Sequence, residues 1–241
     1  MERRNAWHEY TEEQLFEIEL LSMAYRRFLD HGKTERECVN KIVKYAEAAG
    51  YRNMDSIIKE GITLTAGDKV YYVHMKKAVA MVNIGTEPIE QGMNILGAHI
   101  DSPRLDVKQN PFYVDSDLAL LDTHYYGGIK KYQWVTMPLA IHGVVVKRDG
   151  TVINLAIGEN PTDPVFCVTD LLPHLGQVQM EKKAAKVVEG EQLDLLIGSR
   201  PVKGDLKDGV KAYVLQVLKE QYDFEEEDFL SAELEIVPAG A

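Results

Sequence analysis

The feature of this sequence that most constrains its fold is a change of hydrophobic periodicity near residue 60. Before it, apolar residues recur at helical spacing in two segments, 12–30 and 34–49. After it, short apolar runs follow one another as strands, and from about residue 106 helical periodicity returns only once, at residues 208–222. The pattern predicts an α/β protein with two domains, which we place at residues 1–105 and 106–241.

The two helices carry legible start and stop signals. Thr11 and Thr34 are each followed three residues later by Gln or Glu, the spacing of a capping box, in which two side chains satisfy free amides of the first turn. Gly32 and Gly50 follow the last periodic residues and predict left-handed C-caps. We therefore expect two helices, each packing one face against a sheet.

The signals that predict strands are as specific as those that predict the two helices. "KVYYVHMKKAVAMVNIG" predicts a hairpin that turns around residues 75–77, and the apolar run 93–100, "MNILGAHI", predicts a strand buried on both faces. Further along, residues 134–158 predict a hairpin whose turn is Arg148–Asp149–Gly150. "DGVKAYVLQVLKEQY" predicts a helix, and "AELEIVP" alternates like a strand.

Composition excludes several classes of function. A net charge of -11 works against nucleic-acid binding, because neutralising phosphates requires a basic face. No apolar run approaches the roughly 20 residues that span a bilayer, so we expect no membrane insertion. The two cysteines, Cys38 and Cys167, cannot form a disulfide framework, which favours a reducing, cytoplasmic location. Peptides or small molecules are the expected substrates.

A histidine and an aspartate mark the end of the predicted strand 93–100. His99 and Asp101 are two residues apart, so along a strand both side chains return to the same face. A histidine in that position can offer one ring nitrogen to a metal while the carboxylate fixes the other. An isolated pair of this kind is also compatible with a buried histidine that simply needs a hydrogen-bond partner.

Four segments carry a specific resemblance. "LGAHIDSPRLDVK", "HYYGGIKKYQWVTMPLAIHGVVV", "LLPHL" and "FLSAELEIVPAGA" occur in the order in which the bacterial branch of the aspartyl aminopeptidase family has similar segments. The resemblance covers essentially the whole chain. It implies part of an α/β catalytic domain followed by an inserted β-rich dimerisation domain, with assembly into homo-oligomers, dimers and typically dodecamers. The implied reaction removes N-terminal residues from peptides through a water activated by two metal ions, zinc or alternatively cobalt or manganese.

The resemblance also implies roles for three residues. His99 matches the family's first metal ligand, and Asp101 matches the catalytic-site aspartate that orients the ligand without binding metal. His174, in "LLPHL", is similar to a histidine that contacts substrate in the neighbouring subunit's active site, although the residues before it are less apolar than is usual in the family. His124 and His142 match no family role, and we expect them to be structural.

The remaining ligands of the family's two-metal site would lie after the dimerisation domain, beyond Ala241. We therefore expect this chain to correspond to the N-terminal half of such an enzyme and to be inactive alone, because one histidine and an orienting aspartate cannot hold two ions. The sequence contains no H-E-x-x-H motif that would supply a different zinc site. The apolar faces of segments 12–30 and 34–49 should be incompletely covered, and residues 106–241 should fold better.

Three functions remain open at this stage. The first is a metal-dependent aminopeptidase to which this chain contributes one ligand and the subunit interface. The second is a non-enzymatic module that dimerises or assembles with relatives. The third is a different hydrolase with a single metal held by His99, Asp101 and another nearby histidine, which would bind metal stoichiometrically in this chain alone.

Overall fold

A computed structural model describes residues 4–204 and 208–240. The chain divides into two compact units, Met1–Asp101 and Ser102–Ala241. Each unit mixes helices with a β-sheet, and the expected α/β class is confirmed. None of the helices in the described part of the chain is long and apolar enough to cross a membrane.

The first unit begins with two helices, α1 (Glu12–His31) and α2 (Glu35–Ala48), after a short 3-10 turn at Ala6–His8. Both predicted capping boxes are confirmed. The Thr11 hydroxyl accepts from the Gln14 amide at 3.3 Å, and the Gln14 side-chain oxygen accepts from the Thr11 amide at 2.9 Å. The same reciprocal pair forms at Thr34 at the start of α2.

Of the two predicted left-handed C-caps, one is confirmed and the other is wrong. Gly50 is left-handed, with φ of +86°, as predicted. The prediction for Gly32 is wrong, because its φ is -124°. Glycine is needed there for space, since an added Cβ would lie 3.0 Å from the Phe28 carbonyl oxygen and 3.1 Å from the Cys38 Sγ. Gly32 therefore permits the close approach of α1 and α2.

A three-stranded sheet completes the first unit. It contains β1 (Arg52–Asn53), β2 (Lys69–His74) and β3 (Ala78–Asn83) in that order, with helix α3 (Met54–Lys59) after β1. The strands β2 and β3 are antiparallel and turn at residues 75–77, so the predicted hairpin is confirmed. A further 3-10 turn spans Ile89–Gln91.

The segment 93–100 is not the buried strand that its apolar run predicts. Ile95 is 80% exposed and Leu96 is 99% exposed, and no described strand pairs with this segment. A strand buried on both faces needs neighbouring strands and covering helices, and the sheet of this unit ends at β3. The prediction is wrong because burial depends on partners distant in sequence.

Coverage of the two long helices differs. Helix α1 has no buried residue, and its apolar side chains Phe16 and Leu21 are 63% and 71% exposed. Helix α2 buries Cys38, Val39 and Ala46. The expectation of incompletely covered apolar faces is therefore confirmed for α1 and wrong for the Val39 face of α2.

The second unit is built on a seven-stranded antiparallel sheet in the order β7-β6-β10-β4-β5-β9-β8. Its strands are β4 (Arg104–Asp115), β5 (Leu118–Tyr126), β6 (Leu139–Val146), β7 (Val152–Ile157), β8 (Cys167–Val168), β9 (Leu195–Gly198) and β10 (Ala232–Pro238). Isolated bridges join Leu139 to Phe166 and Val135 to Val168, next to β8. The two ends of the sheet thereby approach one another, and the sheet is strongly curled.

Helix α5 (Gly209–Tyr222) covers one face of this sheet, and a one-turn helix α4 (Gln177–Met180) lies in the connection between β8 and β9. Short 3-10 turns occupy Lys131–Gln133, Ala184–Lys186, Gly190–Gln192 and Glu226–Ser231. The largest apolar core of the described residues lies entirely in this unit, and its fully buried members include Leu105, Leu139, Leu195 and Ile236. The predicted helix, the exiting strand and the Arg148–Gly150 turn are all confirmed.

Candidate metal ligand and its surroundings

His99 and Asp101 lie side by side at the end of the first unit. The His99 Nδ1 is 3.2 Å from the Asp101 Oδ1 and 3.0 Å from the Asp101 carbonyl oxygen. Because both neighbours are acceptors in this geometry, Nδ1 carries the proton and donates it. In the neutral imidazole, the Nε2 nitrogen then keeps its lone pair, and this is the form of imidazole that binds a metal ion.

This arrangement is exposed. The His99 side chain is 84% exposed and that of Asp101 is 37% exposed. The contact is local, because His99 and Asp101 are two residues apart and the ring meets both the side chain and the carbonyl oxygen of Asp101. An exposed imidazole of fixed tautomer is a suitable single donor for a metal ion that is held mainly by other groups.

The described residues do not supply the remaining donors of a zinc site. No group of three or more His, Cys, Asp or Glu side chains among residues 4–204 and 208–240 is arranged to hold a metal ion. Zinc in proteins takes three or four protein ligands. His99 thus fits zinc as one donor, while the donor set of these residues as a whole does not fit. The single-metal alternative lacks its ligand set in this part of the chain.

His174 lies in the second unit, in a tight turn before α4. Its side chain is exposed, and the turn is closed by hydrogen bonds from the Leu175 and Gly176 amides to the Leu172 carbonyl, each 2.9 Å. Asp170 stabilises the same turn, because its Oδ1 accepts from the Leu171 amide at 2.8 Å and from the Gln179 side chain at 2.9 Å. The turn therefore presents His174 to solvent from a well-bonded loop.

The two other histidines of interest differ from one another. His142 is buried on β6, and its Nε2 lies 2.9 Å from the Glu159 Oε1. His124 is exposed on β5 and stacks against Tyr125 with ring centroids 5.4 Å apart. His142 has the partner that a buried imidazole requires, which agrees with the structural role expected for it.

Sequence reasoning missed a buried charged group in the second unit. The Arg104 Nε lies 2.8 Å from the Asp106 Oδ1 and 3.5 Å from the Glu235 Oε2, and its guanidinium lies 4.3 Å from the centroid of the Tyr126 ring. Arg104 and Glu235 are only 6% and 2% exposed. The alternation of "AELEIVP" is the only sequence signal for this site, and it does not distinguish an exposed glutamate from a buried one.

Comparison with known proteins identifies the family of this chain. The family model described as "Aminopeptidase I zinc metalloprotease (M18)" matches residues 28–241. A protein of Clostridium acetobutylicum described as "Probable M18 family aminopeptidase 1" is 58% identical over 240 residues, which are 99% of this chain and 52% of that protein. The chain thus spans about half the length of the curated relatives it matches.

Solved structures of other proteins share the fold of this chain. The crystal structure of an M18 aminopeptidase from Thermotoga maritima is 44% identical, with a TM-score of 0.90 over 99% of this chain and 51% of that one. A yeast structure described as the mApe1 dodecamer shares the fold at 15% identity, with a TM-score of 0.63 over 90% of this chain and 48% of that one. On the family match and the high identity to bacterial relatives, the chain belongs to the M18 family of zinc aminopeptidases.

Proposed function

We propose that this chain supplies part of a zinc aminopeptidase that removes N-terminal residues from peptides. The observation that carries the proposal is the contact between His99 and Asp101 in a chain 58% identical to an M18 relative. In the proposal, His99 Nε2 binds one metal ion, and Asp101 holds the imidazole in the tautomer that makes this binding effective. Zinc, when bound, supplies the Lewis acid that activates water.

The proposal assigns the other metal ligands to the part of the family fold that this chain does not span. Two facts support it: the described residues contain no group of three metal donors, and the chain spans about half of the Clostridium acetobutylicum relative. In this account the chain alone binds zinc weakly and has no turnover. Residues 1–105 are then part of the catalytic domain, and residues 106–241 form the dimerisation domain. The compact units Met1–Asp101 and Ser102–Ala241 support such a division.

We assign His174 to substrate contact across a subunit interface, in a homo-oligomer of dimers. Its exposure on a well-bonded turn supports this role, and the dodecamer described for a yeast protein of the same fold supports the assembly. Cys38 and Cys167 are not joined in a disulfide, which supports the cytoplasmic location that we expect from the sequence.

A chimera tests the proposal. This chain replaces the matched half of the Clostridium acetobutylicum relative, and zinc content and hydrolysis of aminoacyl-nitroanilides are measured on the purified product. The chimera should bind zinc and turn over substrate. His99→Ala should abolish turnover and lower zinc content, while Asp101→Asn should weaken zinc binding or activity about 10- to 100-fold. His8→Ala, at an exposed histidine outside the site, is the matched control.

The same chimera separates the role of His174 from that of His99. His174→Ala should leave zinc content unchanged and lower kcat/KM. Unchanged kinetics in His174→Ala would remove this residue from the substrate site. Unchanged zinc and turnover in His99→Ala would remove His99 from the metal site.

A non-enzymatic assembly module is the second candidate, because the largest apolar core of the described residues lies wholly within the second unit. A chimera without zinc binding or turnover, together with a stable dimer of the 241-residue chain in sedimentation experiments, would favour this function over the first.

A further inference from the structure

The second unit contains an apolar cavity between α5 and the curled sheet, with a volume of about 410 Å³. Leu121, Ile141 and Leu155 line it from the sheet, and Val217 and Leu218 line it from the helix. Protein interiors are close-packed and contain few voids larger than a water molecule. A cavity of this volume falls in the range of small-molecule binding sites, roughly 300–1,000 Å³.

The packing of α5 creates this space. At Gly198 on β9 an added Cβ would lie 2.8 Å from the Val214 Cγ2, so the absence of a side chain allows the first half of α5 to pack closely on the sheet. Val210 and Val214 are buried there. One turn later, Val217 and Leu218 are only half-buried and line the cavity. The cavity therefore belongs to the regular helix–sheet packing of this unit.

The lining has a polar edge. The inner wall is aliphatic and aromatic, which suits the apolar part of a ligand. Arg200 also lines the cavity and is exposed, which places it at the opening. Its guanidinium lies 5.3 Å from the centroid of the Tyr213 ring. Among residues 4–204 and 208–240, it makes no ion pair.

We propose that this cavity binds a single-chain amphiphile with a carboxylate head, such as a fatty acid. The alkyl chain would lie between α5 and the sheet, among Leu155, Val217 and Leu218, and the carboxylate would meet the guanidinium of Arg200. Arginine suits this role because its planar fork donates two parallel hydrogen bonds to a carboxylate. The site uses none of the residues assigned to metal or peptide binding, so it stands independently of the proposed aminopeptidase activity.

Isothermal titration of the 241-residue chain with dodecanoate, below its critical micelle concentration and without zinc, tests the site. We expect saturable binding with one ligand per chain. Val217→Phe should weaken this binding about tenfold by filling the space of about two methylene groups. Val152→Phe, the same substitution at a valine that is 43% exposed and outside the cavity, should leave it unchanged.

Two further variants test the head group without disturbing the core. Arg200→Gln should weaken dodecanoate binding about threefold, as for an exposed ion pair, and should leave dodecanol binding unchanged. Arg148 is 95% exposed, and Arg148→Gln should leave the binding of both dodecanoate and dodecanol unchanged. Circular dichroism confirms that each variant is folded.

Three results would overturn the proposal: no saturable binding of dodecanoate, an unchanged Kd in folded Val217→Phe, or an Arg200→Gln effect equal for dodecanoate and dodecanol. The variant Val217→Phe is decisive because α1 also exposes apolar side chains. Adsorption of dodecanoate to α1 would be insensitive to substitution inside the cavity. Such a result rejects the site and leaves the test of the aminopeptidase unaffected, since that test measures zinc and turnover.

Discussion

Arg104 Nε lies 3.5 Å from Glu235 Oε2 across the neighbouring strands β4 and β10, and both side chains are almost fully buried. A buried carboxylate without its cation is far more costly than an intact pair. Arg104→Met should therefore lower the free energy of unfolding by about 3–5 kcal/mol. The double variant Arg104→Met/Glu235→Leu should recover most of that loss, because neither charge remains buried.

Urea unfolding, followed by circular dichroism, measures these differences. Arg148→Met is the matched control, since Arg148 and its partner Glu227 are 95% and 76% exposed. Exposed pairs contribute at most about 1 kcal/mol, so the control should stay near the wild-type midpoint. A double variant no more stable than Arg104→Met would show that the buried pair is not the source of the loss.

Gly143 lies on β6 opposite Leu234 of the neighbouring strand β10, and its conformation excludes a side chain. Its φ is +148°, and an added Cβ would lie 1.9 Å from the Glu233 carbonyl oxygen. Gly143→Ala should lower the free energy of unfolding by about 3 kcal/mol or more, since backbone strain and overpacking add. Gly128→Ala, which meets no atom within 4 Å, is the control and should unfold at the wild-type urea concentration. Equal midpoints for the two variants would contradict the register of β6 and β10.

Asp223 follows the last residue of α5 and has a left-handed backbone conformation. Its carboxylate accepts hydrogen bonds from the ammonium groups of Lys147 and Lys219, each 2.8 Å long. These bonds, first that from Lys147 and second that from Lys219, lower the pKa of the Asp223 carboxyl to about 2. Since the ordinary pKa is 3.8, the ionised carboxylate stabilises the folded state above that pH. This contribution is lost as the pH falls from about 4 toward 2. Asp223→Asn, which keeps a residue tolerant of left-handed backbone, should therefore destabilise the protein near neutral pH and have progressively less effect toward pH 2.

Urea midpoints across this pH range test the prediction. Asp117→Asn is the control, because Asp117 is exposed, is also left-handed, and lies at the turn between β4 and β5. The urea midpoint of Asp117→Asn should equal that of the wild type at every pH. A constant difference between Asp223→Asn and the wild type would show that charge plays no part.

Local signals predicted local structure well in this chain. The capping boxes at Thr11 and Thr34 depend on contacts three residues apart, and the hairpin turn at Gly150 depends on backbone freedom at one residue; all three are confirmed. The contact between His99 and Asp101 also spans only two residues. Such features can be read from sequence because the atoms that decide them are neighbours.

Features that depend on distant partners could not be predicted in the same way. The apolar run 93–100 has the composition of a buried strand, but Leu96 is almost fully exposed because no described strand lies beside it. Glu235 has the spacing of a surface residue, but Arg104, 131 positions earlier, meets it in the sheet interior. Resemblance to a family supplied roles for His99 and His174 that neither spacing nor composition contains.

In the proposed function, this chain contributes one metal ligand to a site that other parts of the family fold complete. To test this contribution, we would measure zinc content by inductively coupled plasma mass spectrometry together with aminoacyl-nitroanilide hydrolysis, on the 241-residue chain and on the chimera. We predict neither stoichiometric zinc nor turnover for the chain alone, and both for the chimera. Two zinc ions per chain with turnover in the chain alone would contradict the account and would require a complete ligand set within these 241 residues.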